Sequence, residues 1–202
     1  MSGSTDRFST DSLRRLIGSL NSIRFRDEIG EVEYFGQKVV IFRRDAFPLM
    51  RKEMMRISGD SANIILRIAG RRVGTEEGKA LLSKAEALGL KTPQAMPEFV
   101  RVAVEETNMG YGKIQVDELN LVSGLASVSI TNSFESEPIA SSTKPSCIFT
   151  LSYLEGIFSQ LIAKDVRGRE IDCRAKGDKL CRFSLLPEPR QVHVGQSNTV
   201  AT

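Results

Sequence analysis

The chain has 202 residues, 41% hydrophobic and 26% charged, a balance that suits a folded core and excludes a disordered or fibrous protein. That length favours one domain with loose ends over two full ones. The 28 basic and 25 acidic residues leave a net charge of +3, and the basic residues are scattered in short pairs such as Arg43-Arg44 and Arg71-Arg72, which argues against nucleic acid as the main partner.

Residues 1–12 and 187–202 are polar and lack apolar periodicity, so both read as mobile tails around a single body at 13–186. The one histidine, His193, falls in the second tail. No run approaches the roughly 20 apolar residues of a membrane span, and MSGSTDRFSTDS lacks the apolar core of a signal peptide; the expected location is the cytoplasm. In that reducing compartment three cysteines read as a metal set or as buried thiols before they read as disulfides.

Leu13 to Ile23 places apolar residues at 13, 16, 17, 20 and 23, a helical face. Val32 and Tyr34, then Val39 to Phe42, flank Gly36-Gln37-Lys38 and predict a β-hairpin. Asp45 is placed to cap a helix whose inner face is Leu49, Met50, Met54 and Ile57, with Pro48 in its first turn and Ser58-Gly59 at its end. Ser61 restarts a helix through Ile64, Ile65 and Ile68. Thr75 is placed to cap another, carrying Leu81, Leu82, Ala85 and Leu88, that Gly89 closes. Thr92-Pro93 opens a further helix with Phe99, Val102, Ala103 and Met109 on one side.

The period then changes. Ile114 and Val116 alternate with polar neighbours, as do Val128 and Ile130, with Ser123-Gly124 as the intervening turn: a second hairpin. Pro145 or Ser146 begins a helix with Phe149, Leu151, Leu154, Phe158, Leu161 and Ile162, and two strands close the body around Gly177-Asp178. Helices in a block beside mostly antiparallel strands define an α+β architecture.

Chemistry concentrates in Cys173-Arg-Ala-Lys-Gly-Asp-Lys-Leu-Cys181. A turn centred on Gly177 sets Cys173 opposite Cys181, and directly opposed residues of an antiparallel pair have Cβ atoms about 4.5–5.5 Å apart. Two thiolates so placed can share one zinc, whose Zn–S bonds are about 2.3 Å. Cys147, in the first turn of its helix, is the natural third ligand, because the positive end of the helix dipole favours a thiolate. For the fourth position the candidates are Glu170, Asp165, Asp172, Asp178 and water. Strand periodicity does not select Glu170, since three residues of separation from Cys173 put it on the opposite face unless a bulge intervenes.

Cys173 to Phe183, C-R-A-K-G-D-K-L-C-R-F, resembles the C-x-A-x-G-D-x-x-C-x-F ending of the 4-vinyl-reductase domain family. Asn132-Ser133-Phe134-Glu135 resembles the family's N-S-F-E strand end, and Cys147 with Tyr153-Leu-Glu-Gly156 its cysteine-led helix. The three segments occur in the family's order and cover roughly residues 113–186. The resemblance implies the fold shared with the small subunits of the TRAPP vesicle-tethering complex. From the sensor domains of aromatic-responsive transcription activators it implies a zinc held by Cys147, Glu170, Cys173 and Cys181. Arg169, Arg174, Lys176, Lys179 and Arg182 are then candidates to offset the net negative charge of such a site.

A zinc with four protein ligands has no open position for water. No G-x-S-x-G occurs, and Gly74-Thr-Glu-Glu-Gly78-Lys79-Ala80 lacks the spacing and the Ser/Thr of a phosphate loop; no dinucleotide-binding glycine fingerprint is found. The expected function is therefore binding of a hydrophobic or aromatic small molecule without catalysis. The resemblance also implies an apolar cavity between helices and sheet, for which Phe99, Val102, Phe134, Phe149, Tyr153 and Phe158 are the candidate lining residues. Tyr153 stands out because a buried phenol needs a hydrogen-bond partner. With no Trp in the chain and no histidine in the body, the polar anchor of such a ligand is left open. Related domains commonly pair, so a homodimer is expected, with the first helix as a candidate arm. Two other roles fit the resemblance: a dimerising assembly subunit of the TRAPP kind, and an accessory protein of tetrapyrrole metabolism.

Overall fold

The computed structural model describes residues 9–20, 23–106, 110–136 and 143–188. Met109, His193 and most of both expected tails lie outside the described residues. Helix α1 spans Thr10–Leu20, and strands β1 (Arg24–Arg26), β2 (Glu31–Tyr34) and β3 (Gln37–Val39) form a small antiparallel sheet. Helices α2 (Ala46–Ser58), α3 (Ser61–Ala87) and α4 (Met96–Glu106) follow. Strands β4 (Lys113–Asn120) and β5 (Leu125–Thr131), helix α5 (Ile148–Leu161), and strands β6 (Val166–Asp172) and β7 (Cys181–Pro187) complete the body. The larger sheet is antiparallel throughout, in the order β4-β5-β7-β6. Five helices thus pack on a four-stranded antiparallel sheet, the α+β arrangement expected.

One face of that sheet is apolar because alternate residues point the same way. Ile114 and Val116, Ala126, Val128 and Ile130, and Cys181, Phe183 and Leu185 are all buried on it. Helix α4 packs on β4, and α5 on β6 and β7. Ten of the 14 residues of α5 are buried; a helix apolar on all sides needs cover on all sides, and α3 supplies it. The two helices meet through Gly70, Gly74 and Gly78 of α3 and Gly156 of α5: a Cβ at Gly74 would overlap the carbonyl of Tyr153, and one at Gly156 the carbonyl of Arg71.

That contact overturns the reading of residues 61–88 as two helices. Residues 61–87 form one helix of 27 residues, and Thr75 is no cap: its hydroxyl donates to the Arg71 carbonyl at 2.9 Å within the helix. The glycines that read as breakers are the contact surface. The apolar stripe Ile64, Ile65 and Ile68 faces outward, each residue more than half exposed, while Ala62, Leu66, Leu81 and Ala85 turn inward.

Other expectations shift by local geometry. The first helix ends at Leu20, and Ile23 is an exposed residue outside it. The first hairpin turns on Phe35-Gly36, both at positive φ, so Val39 ends β3 and Ile41 and Phe42 are exposed beyond it. Strand β1 joins this hairpin as a third strand. The inner face expected of α2 is not one: the helix has no fully buried residue, and Leu49, Met50 and Ile57 are each more than half exposed. Asp45 precedes α2 without a side-chain capping bond. In α1, by contrast, Leu13 and Ile17 are buried and the helix packs on α4, so its apolar face is used within the chain.

A four-donor cluster and an adjoining aromatic cluster

Each donor is placed by a distinct feature of the chain. Cys147 is the residue before the first turn of α5, and Cys181 opens β7 opposite Ile130 of β5. Cys173 follows the end of β6 and leads a single helical turn, Arg174–Lys176, that closes on Gly177 at φ 102°, a conformation glycine adopts without strain. Asp178 locks this loop by accepting the Cys173 N–H at 2.8 Å.

Glu170 reaches the same point through a bulge. Asp172 pairs with Arg182 but Glu170 with Phe183, so two steps along β6 match one along β7 and Ile171 is the extra residue. The bulge moves Glu170 onto the side of Cys173, which regular alternation would deny it. The sulfurs of Cys147, Cys173 and Cys181 and a Glu170 oxygen all lie within 4.8 Å of one another. The Cys147 and Cys181 sulfurs are 3.6 Å apart, close to the roughly 3.8 Å edge of a tetrahedron with 2.3 Å Zn–S bonds.

Four acidic groups in so small a space share protons. Burial and the neighbouring Cys173 push the Glu170 carboxyl up to about 8. Hydrogen bonds with Cys173 and Cys181, together with burial, push the Cys147 thiol well above its ordinary range, while hydrogen bonds from Cys147 and Cys181 hold Cys173 far below it. The helix dipole expected to favour a Cys147 thiolate is thus outweighed by nearer groups, and Cys173 takes the negative charge. Glu170 Oε2 accepts the Cys147 N–H at 3.0 Å, whereas Oε1 is buried without a partner. Such an orphan is costly, and a cation among the four donors would satisfy it while allowing every group to be deprotonated. The donor set therefore fits a metal ion. Asp165, expected as an alternative ligand, pairs with Arg71; Asp172 pairs with Arg182 and Asp178 with Lys176. Of the five basic residues considered for charge balance, Arg174 donates to Asn132, and Lys176 and Arg182 hold those two aspartates.

The Asn132–Glu135 segment ties this cluster to the core. Asn132 takes a left-handed turn at φ 55°. Ser133 then contacts the Cys147 sulfur at 3.7 Å, and Ser146 the Cys173 sulfur at 3.6 Å. Glu135 accepts the N–H groups of Phe149 and Thr150 at 2.9 and 2.8 Å, closing the exposed donors of α5's first turn. Arg51 of α2 lies 3.6 Å from that carboxylate and donates to the Ser146 carbonyl at 2.7 Å.

Phe134 points into an aromatic cluster. Its ring centroid is 4.8 Å from Phe47, 5.0 Å from Tyr111 and 6.3 Å from Phe149; Tyr111 is also 5.1 Å from Tyr153. Three of the six expected lining residues, Phe134, Phe149 and Tyr153, are therefore neighbours. Phe99, Val102 and Phe158 are fully buried in the main core, and no ring contact among the described residues joins Phe99 or Phe158 to this cluster. Sequence reasoning missed Phe47, Tyr111, Glu77 and Gln37. Glu77 is buried on α3's inner face, where Gln37 donates to it at 3.2 Å. Burial pushes its carboxyl up. Burial and the nearby Glu77 charge push the Tyr111 phenol up to about 12 and raise that of Tyr153 as well. The missed signal was a glutamate between Gly74 and Gly78, on a face that had to be buried.

This combination of an α+β body, a four-donor cluster and an aromatic cluster has known counterparts. Residues 126–187 match the vinyl-4-reductase domain, the family resembled by the cysteine segment, and that span holds all four donors. Among solved structures, the chain is similar to the phenol-responsive sensory domain of the transcription activator PoxR with phenol, at TM-score 0.72 and 18% identity over 92% of each chain. It is also similar to a trafficking protein particle complex subunit 3 from Naegleria fowleri, covalently bound to palmitic acid, at TM-score 0.54 and 12% identity over 72% of this chain and 93% of that one. At such identities the likeness is one of fold. No curated protein sequence matches the chain.

Proposed function

We propose that the chain is a zinc-stabilised regulatory domain that binds a hydrophobic or aromatic small molecule and has no catalysis of its own. The observation that carries this reading is the convergence of Cys147, Glu170, Cys173 and Cys181 within 4.8 Å beside a cluster of aromatic rings. Three sulfurs and one carboxylate suit zinc, and four protein ligands leave it a structural ion. The fold likeness to a phenol-responsive sensory domain supports the ligand class. Phe134, Phe149 and Tyr153, with Phe47 and Tyr111, form the ring-lined part of the site, and Phe99, Val102 and Phe158 its aliphatic and aromatic floor. Among the described residues no helix is long and apolar enough to cross a membrane, and a homodimer in the cytoplasm is the proposed working form.

Two measurements on the purified chain test the two halves separately. Elemental analysis of protein prepared without added metal or chelator should find about one zinc per chain. Titration with phenol, followed through tyrosine fluorescence, should saturate, and Tyr153→Ala should weaken it by roughly tenfold or more, the effect of losing about 1.4 kcal/mol. Metal-free protein with three freely titrating thiols would end the zinc reading, and phenol that neither binds nor shifts the melting temperature would end the aromatic-ligand one.

A further inference from the structure

We infer that the outer side of α2 and α3 is a self-association surface on which a second copy of this chain docks antiparallel. Leu49, Met50 and Ile57 of α2 and Ile64, Ile65 and Ile68 of α3 are each more than half exposed. On α3 the three isoleucines lie within one arc of about 100°, on the other side of the helix from the buried Ala62, Leu66 and Gly70. Isolated helices as short as α2 are marginal in water and are held by burying an apolar stripe. Yet α2 has no fully buried residue and turns its stripe away from the body. A helix arranged in this way is completed by a partner.

The area and the charges both select a second copy. At roughly 50–100 Å² per half-exposed side chain, the six residues present on the order of 500 Å² of apolar surface. A standard interface buries about 800 Å² per partner, and homodimer interfaces are about 65% apolar, which again requires about 500 Å². A two-fold axis makes such a patch meet itself. The antiparallel register that sets Ile64 opposite Ile68 also sets Asp60 opposite Arg72, twice over. Asp60, the residue before α3, makes no side-chain capping bond. Arg72 now pairs with Glu76 in an exposed contact at 3.1 Å, the kind that exchanges at little cost. This surface extends the proposed homodimer by naming its face, and it replaces α1, whose apolar side is buried against α4.

Sedimentation of the full chain at micromolar concentration, alone and as variants, tests the assignment. The wild type should be a dimer, and Ile64→Asp with Ile68→Asp should be a monomer with unchanged circular dichroism, zinc content and phenol titration. Asp60→Arg alone and Arg72→Asp alone should each weaken the dimer by about tenfold through like-charge contacts. An equimolar mixture of these two variants should recover the wild-type affinity as a heterodimer, since both of its charge pairs become complementary. A monomeric wild type, a dimer that survives the double isoleucine change, or a mixture that fails to recover overturns the proposal. So does a monomeric chain whose same face floats with lipid vesicles. A dimer that survives the isoleucine changes removes the face but leaves homodimerisation standing.

Discussion

Two carboxylates close the amino-terminal end of α5. Glu170 takes the N–H of Cys147 with one oxygen and leaves the other for the cluster of thiols. Glu135 uses both oxygens on the N–H groups of Phe149 and Thr150, with Arg51 at 3.6 Å. Glu135→Gln keeps the size but turns one acceptor into a donor that faces an N–H. Leaving a buried group unpaired costs about 1–3 kcal/mol, and the melting temperature should fall by roughly 2–10 °C in a chain of this size. Calorimetry on the metal-loaded variant checks this, with zinc content expected to stay unchanged because Glu135 is not one of the four donors. The two residues differ in how legible they were. Glu135 lies in a recognisable N-S-F-E segment. Glu170 faces the cysteines only because Ile171 is an extra residue in β6, and nothing in Arg169-Glu170-Ile171-Asp172 marks a bulge; period-two alternation therefore points Glu170 away.

Among elements, α3 was the hardest to read. Its outward Ile64, Ile65 and Ile68 repeat with helical spacing, and such a stripe reads as a core face. The true inner face is marked by glycines, whose lack of a side chain hides it from hydrophobic periodicity. Gly74 sits where the α3 and α5 backbones come closest, so a methyl group there must push the helices apart. Gly74→Ala gains up to about 1 kcal/mol of helix propensity but forces an overpacked interface that costs typically about 1–3 kcal/mol or more. A net loss of stability is expected. Gly177→Ala, in an exposed turn away from this interface, is the comparison: it should cost less and leave the α3–α5 contact intact. Equal or raised stability in Gly74→Ala, by denaturant titration, would contradict this packing. The strands of the second hairpin and helices α4 and α5 were legible throughout, because there the apolar residues that set the period are also the ones that are buried.

In the whole molecule the four donors join the start of α5, the end of β6, the loop after it and the start of β7, while α1 to α4 contribute none of them and brace the surroundings of the cluster through Arg51 of α2. Metal removal should therefore act regionally. Its size follows from mass action: free zinc at about 100 times its Kd adds about 2.7 kcal/mol, equivalent to roughly 5–11 °C in a domain of this length. The metal-free cluster does not simply fall apart, because Glu170 then keeps a proton near neutrality, with its carboxyl pushed up to about 8, and Cys147 and Cys181 remain hydrogen-bonded neighbours. Binding zinc means expelling those protons, so retention weakens as pH falls below about 8 and a chelator should strip the ion faster at about pH 6 than at about pH 8. Hydrogen exchange before and after chelation locates the effect. Faster exchange is expected across residues 143–188, with α3 and α4 changed little, since α3 is held by its glycine contacts and α4 by Phe99, Val102 and Ala103 in the core. Uniform acceleration along the chain would mean that the clamp supports the entire fold, and no change on chelation would mean that the four donors hold nothing.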